Sequence, residues 1–277
     1  MSIPTAAAEA IAPLSPEYAD VLARIVAELD SDRRIAALWL GGSLGRGVAD
    51  AGSDLDLIVT VADQEADEIV AAGASIWAFL EPVITLEMRG LQASFAMVTR
   101  DGLRVDVVLE WELEVVDTPY RHRVPVFDRR RRPTPVPSAQ DVQRSPNVAT
   151  MEAIATEFAR QLAIFPDAVV ARGDWLLGQE AVHNYHTFLY QLYVEANQPL
   201  PPMGVKQWSA NLTAAQRDQL AALPPPAAKE ASVVDAMRRV SEVLQTEGRA
   251  LVEQAGGEWP EAAVAAGLAR WRARGLD

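Results

Sequence analysis

Hydrophobic positions change their period once along the chain, and that change organises the sequence. Through the first half, short apolar runs read as strands at 35–40 (IAALWL), 55–61 (LDLIVTV), 82–88, 93–99 and 103–109, with a shorter one at 124–128 (VPVFD). Ahead of them, Ser15-Pro16-Glu17 has the form of an N-cap with proline at the first helical position. Tyr18, Val21, Leu22, Ile25, Val26 and Leu29 follow at helical spacing, which predicts a helix over 16–30. A further helix is expected around 63–72. From Asn147 on the strand pattern stops, and helical spacing predicts helices at 148–165, 168–196, 206–222, 227–255 and 260–273. Residues 129–146 hold four consecutive arginines and four prolines with little apolar content, and read as a connector. The expected fold class is therefore α+β: a small mixed-sheet domain over 1–140, then an all-α helical bundle over 141–277.

Composition narrows the function more than the fold. A chain of 277 residues with 49% hydrophobic content can fill two ordinary cores. No run of eighteen apolar residues occurs, and the N-terminus lacks the basic start and apolar stretch of a signal peptide, so a cytoplasmic protein without a membrane span is expected. The absence of cysteine excludes disulfides, thiolate metal sites and a cysteine nucleophile, and three histidines argue against a histidine-built zinc centre. His183 and His186 read as packing residues. The net charge of −13 opposes a polyanionic partner such as nucleic acid and favours a cationic small molecule. Any phosphate must then be met locally, by a divalent ion, backbone amides or a few placed cations. Arg121, Arg123 and Arg129 to Arg132 read as solvated linker, the run Glu110, Glu112, Glu114, Asp117 as a soluble loop, and Trp39, Trp175 and Trp208 as core.

The stretch LWLGGSLGRGVADAGSDLDLIVTV, 38–61, holds the densest chemistry. Side chains two apart on a strand share a face, so Asp54 and Asp56 present paired carboxylates while Leu55 and Leu57 face the core. Two carboxylates held together repel unless a cation neutralises them, and an oxygen-preferring divalent ion, Mg²⁺ first, does so. Gly41-Gly42-Ser43 directly follows a strand; glycine permits close backbone approach, and amides there with the Ser43 hydroxyl form an anion cradle. Leu44 to Val48 is expected to open a short helix. No Gly-Lys-Ser/Thr appears, which excludes a Walker A loop. A two-ion phosphoryl site needs a third carboxylate from a neighbouring strand, and Asp106, set inside LRVDVVL, supplies it. Glu87 and Glu110 stand near strand ends, where solvation is cheap.

Taken in order, Gly42-Ser43, Arg46-Gly47, Ser53-Asp54-Leu55-Asp56-Leu57 and the lone strand acid Asp106 resemble the signature of the polymerase-β-like nucleotidyltransferases. The motif resemblance covers about residues 35–128. A catalytic domain of this size followed by a helical bundle is similar to the bacterial antibiotic nucleotidyltransferases, which adenylylate aminoglycosides or lincosamides. The resemblance implies that Asp54, Asp56 and Asp106 ligate Mg²⁺ and carry catalysis. It implies that Gly42 and Ser43 hold the outer phosphates of ATP, with Arg46 assisting, and that Lys206 reaches the triphosphate from the helical domain. Asp106 would serve as ligand and base together, with Glu87 in reserve. Arg172 and Asp174 either face the cleft or cap a helix, and Trp208 either packs or flanks a base. The partners implied are a nucleoside triphosphate and a small, cationic, hydroxylated acceptor, with antibiotic resistance as the outcome. The alternatives are modification of a protein or a tRNA end, for which RNA use would predict a basic face, and a non-catalytic nucleotide-binding module.

Overall fold

The apolar runs of the first half pair into one six-stranded sheet, and its strand order decides where the acids stand. A computed structural model describes residues 3–89, 93–112, 122–131, 145–200, 208–223 and 225–276. They sort into two units, the first 1–139 with 202–205, the second 140–201 with 206–277. The first unit runs α1 (Thr5–Ile11), α2 (Glu17–Ser31), β1 (Ile35–Leu40), α3 (Gly42–Gly45), β2 (Leu55–Val61) and α4 (Ala66–Ala72). A 3₁₀ segment over Gly73–Leu80 then leads into β3 (Ile84–Arg89), β4 (Ala93–Val98), β5 (Arg104–Trp111) and β6 (Val124–Asp128). The sheet order is β3-β4-β5-β2-β1-β6. Every neighbouring pair is antiparallel except β2 with β5, which is parallel.

Alternation along the strands separates two faces. Leu55, Leu57 and Val59 of β2, Val105, Val107 and Leu109 of β5, and Phe95 and Met97 of β4 are buried in one cluster with Leu22, Ile25, Val26 and Leu29 of α2 and with Trp77. Removing that apolar surface from water stabilises the unit by about 1.5–3 kcal/mol per fully buried large side chain. The intervening positions, among them Asp56 and Asp106, point to the other face. α1 is an addition to the expected elements; its short alanine-rich turn buries only Ala7 and Ile11.

The second unit is helical: α5 (Val148–Ala168), α6 (Trp175–Ala196), α7 (Ala214–Ala221), α8 (Glu230–Val243), α9 (Arg249–Gln254) and α10 (Glu261–Ala273). Phe158, Leu162, Tyr185, Leu189, Met237, Val240 and Trp271 are among its core. The helix expected over 168–196 is broken. Gly173 takes φ +64, and Asp174 caps α6 by accepting from the Leu177 N–H at 3.1 Å. Only Ala214–Ala221 of the expected 206–222 helix forms, behind a capping box of Thr213 and Gln216. The span 227–255 divides into α8 and α9 around a π turn at 244–248, where Gly248 packs on Leu192. No helix among the described residues is long and apolar enough to cross a membrane.

Candidate active site

Parallel pairing of β2 with β5 sets Asp56 directly beside Asp106. Asp54 lies two residues before Asp56 and so faces the same way. One carboxylate oxygen from each of the three falls within 4.8 Å of the others. Asp54 is only 5% exposed. Three clustered carboxylates repel one another, and withdrawing them from water costs more unless cations offset it. Arg104 brings a cation to the edge of the cluster. Its Nη1 lies 3.9 Å from an Asp54 oxygen, and its Nη2 donates to the Gly52 carbonyl at 2.8 Å. A partly exposed guanidinium at that range offsets little. An all-oxygen donor set with excess negative charge fits a hard divalent ion such as Mg²⁺. Upstream, Asp50 accepts from the Gly52 N–H at 2.9 Å and from the Ser53 hydroxyl at 3.1 Å, which shapes the turn that delivers Asp54.

The turn after β1 abuts this cluster. The Gly41 N–H donates to the Asp56 carbonyl at 2.9 Å, extending the ladder by one bond. Gly42 follows with φ +52, and a Cβ there would lie 1.7 Å from Asp56 Oδ2. Only glycine satisfies both the backbone angle and the approach. The short helical turn forms at Gly42–Gly45, ahead of the expected 44–48, and a Cβ at Gly45 would meet the His122 carbonyl at 2.2 Å. Ser43 is 8% exposed, and neither its Oγ nor the Arg46 Nε has a hydrogen-bond partner among the described atoms. Buried polar atoms left unbonded cost free energy that an incoming acceptor would recover. A hydroxyl on the residue after Gly42, which itself abuts the Asp56 carboxylate, suits a phosphate whose charge is shared with a divalent ion. Gly42→Ala should lower kcat by roughly a hundredfold or more by displacing the Asp56 carboxylate, read in steady-state turnover, while circular dichroism stays that of a folded chain.

Residues 20–131 match the family described as the nucleotidyltransferase domain. That match falls within the sheet unit. Several solved structures resemble the chain at low identity. An aminoglycoside 6-adenyltransferase from Bacillus subtilis is 12% identical, over 92% of this chain and 96% of that one, with a TM-score of 0.42. Cid1, solved for its RNA terminal uridylyl transferase activity, is 15% identical over 35% of this chain, which spans 32% of Cid1, with a TM-score of 0.27. The CdnE cyclic dinucleotide synthase of Elizabethkingia meningoseptica is 14% identical over 97% of both chains, with a TM-score of 0.28. No curated protein matches.

Within the sheet unit, several residues stand elsewhere than their sequence positions suggest. Glu87 pairs with Phe95, which pairs with Val107, and those two point into the helix-covered core. Glu87 therefore lies on the opposite face from Asp106, near Gly73, where it cannot act as base at the acid cluster. Glu110 is not a solvated strand end. It is fully buried, and Arg123 donates to both its oxygens at 2.6 and 3.0 Å. Thr60 donates to the same carboxylate at 2.9 Å, and the Trp39 indole N–H donates to Thr60 at 3.0 Å. Arg123 is thus part of the fold rather than linker, and it lies over the Trp39 ring at 5.3 Å. Arg130 pairs with Glu112 at 2.7 Å. Arg104 carried no sequence motif; its place two residues before Asp106 on one strand was the available signal.

In the helical unit, Asp174 caps α6, as noted, and Trp208 is 47% exposed and stacked on Tyr190 at 3.8 Å rather than buried. Burial, followed by the charge of His183, lowers the His186 pKa, as suits a packing residue. The three aspartates are the one potential metal cluster among the described residues. Lys206, Glu114, Asp117 and Arg121 lie outside them.

Proposed function

We propose that the protein transfers AMP from ATP to a hydroxyl of a small acceptor, of the aminoglycoside or lincosamide kind, and so inactivates an antibiotic. The observation that carries this is the junction of three carboxylates within 4.8 Å with the buried, unpartnered Ser43 hydroxyl. Asp54, Asp56 and Asp106 would hold divalent ions, Mg²⁺ first, which when bound offset the triphosphate charge and make the acceptor hydroxyl easier to ionise. The Ser43 hydroxyl and the backbone at Gly42 hold the outer phosphates, and Arg46 adds a cationic N–H. Asp106 takes the proton of the acceptor hydroxyl as its oxygen attacks the α-phosphorus; the bond to the bridging oxygen breaks and pyrophosphate leaves. A cationic acceptor is supported by the net charge of −13, and a cytoplasmic setting by the cysteine-free composition.

The test is incubation with Mg²⁺, each of the four common triphosphates, and a panel of aminoglycosides and lincosamides, with mass spectrometry for a nucleotidyl adduct. An adduct of AMP is expected. No adduct on any acceptor, with ATP still bound, would remove the antibiotic-modifying function. Ser43→Ala should raise the KM for ATP by about tenfold, the equivalent of one lost hydrogen bond to a charged group, with the acceptor KM unchanged.

A further inference from the structure

The row of side chains at the level of the acids continues past them on one side. Leu86 of β3 lies opposite Ala96 of β4, Ala96 opposite Asp106, and Asp106 beside Asp56. Gly41 then bonds to the Asp56 carbonyl, and Gly42 and Ser43 follow. Partners opposite one another in a ladder share a face. One line therefore crosses the sheet: Leu86, Ala96, the acids, and the glycine–serine turn. Ile84 and Met88, two residues to either side of Leu86, stand on the same face.

Ile84, Leu86 and Met88 are 50%, 60% and 52% exposed, whereas Trp39 and Ile58, on the same face at the other side of the acids, are 0% and 3% exposed. The other face of β3 carries Thr85 and Glu87, in register with the buried Met97 and Phe95. An ordinary half-buried edge strand turns its apolar residues toward the core and its polar ones to water. β3 does the reverse. Three adjoining exposed apolar side chains in continuity with a reactive centre mark a surface that is covered in function.

Reaction geometry names the cover. Attacking and leaving oxygens lie on opposite sides of the phosphorus. With the outer phosphates at Gly42 and Ser43, pyrophosphate departs toward β1, and the acceptor hydroxyl arrives from the side of β5, β4 and β3. Strands about 4.8 Å apart put Leu86 about 10 Å from Asp106. A molecule that offers its hydroxyl to Asp106 thus lays its body over Ala96 and Leu86. We propose that Ile84, Leu86 and Met88 are the acceptor-binding surface, and that the acceptor is amphipathic, with a hydroxyl at one end and an aliphatic or aromatic face about 10 Å away. This rests on the function proposed above and narrows it, since a polycation without an apolar face would leave the three side chains in water.

The test compares the protein with a Leu86→Ser/Met88→Ser variant, in which both changes are at exposed positions and the fold is checked by circular dichroism. Lincomycin, a hydroxylated sugar with aliphatic appendages, and kanamycin, a polycation without them, serve as probes, in Mg²⁺ with a non-hydrolysable ATP analogue. Saturation-transfer NMR should show contact with the aliphatic protons of lincomycin in the wild type and its loss in the variant. Turnover should show an acceptor KM raised by about tenfold with the KM for ATP unchanged. No contact in the wild type, equal contact in both proteins, or kanamycin binding as tightly as lincomycin would overturn the proposal. Equal lincomycin turnover by the variant sinks the surface and leaves the transferase function standing. Contact that the variant loses, with no pyrophosphate released on any acceptor, sinks the transferase function and leaves the surface standing. A wild-type dimer that the variant dissociates, with acceptor binding unchanged, would assign the surface to a second copy and overturn the proposal.

Discussion

Asp56→Asn should lower kcat on the order of a thousandfold or more while the protein stays folded. The amide keeps the shape of the carboxylate and removes its charge from the centre of the row, where Asp54 and Asp106 both lie within 4.8 Å. Two thermal melts separate this from a folding defect. Without divalent ion, the variant should melt at or above the wild-type temperature, because one of three mutually repelling charges is gone. With Mg²⁺, the wild type should gain stability by mass action and the variant should gain little. A variant with near-normal turnover would take Asp56 out of the catalytic centre.

Arg123→Ala should cost about 3–5 kcal/mol, because it strips the bidentate partner from a buried carboxylate. Glu110 would keep only the Thr60 hydroxyl, at 2.9 Å, in a site with no exposure. A loss of that size is a large share of the roughly 5–15 kcal/mol that holds a typical domain. Urea unfolding would report it as a lower midpoint. A Glu110→Met/Arg123→Met double variant should recover most of the loss, since apolar replacement of a buried pair removes the stranded charge. If Arg123→Ala unfolds at the wild-type midpoint, the pair is not a structural tie.

The fold was legible where one periodicity governed a whole element. Ile35–Leu40 and Leu55–Val61 form strands over the expected residues, because the first buries every side chain and the second every one but Asp56. The gathering of Asp54, Asp56 and Asp106 follows from alternation and from the acid placed within an apolar strand. What escaped was set by partners distant in sequence. Glu110 looked like a solvated end because nothing local announces Arg123, thirteen residues on, as its buried partner. Glu87 looked like a spare base because its face depends on the register of β3 with β4, which pattern alone does not specify. The helix through 168–196 broke where Gly173 and the Asp174 cap outweighed continuous helical spacing, a local signal that the periodicity masked.

Direct bonding between β2 and β5 has a consequence for how such a protein diversifies. The ladder holds Asp56 and Asp106 together directly, without an intervening strand. The exposed face of β3 sits within the excursion between those two strands, so its side chains can change while the three carboxylates stay put, whereas Phe95 and Met97 of β4 are tied into the core. On the function proposed above, new acceptor preferences would then arise by substitution on that one face, with the chemistry inherited intact.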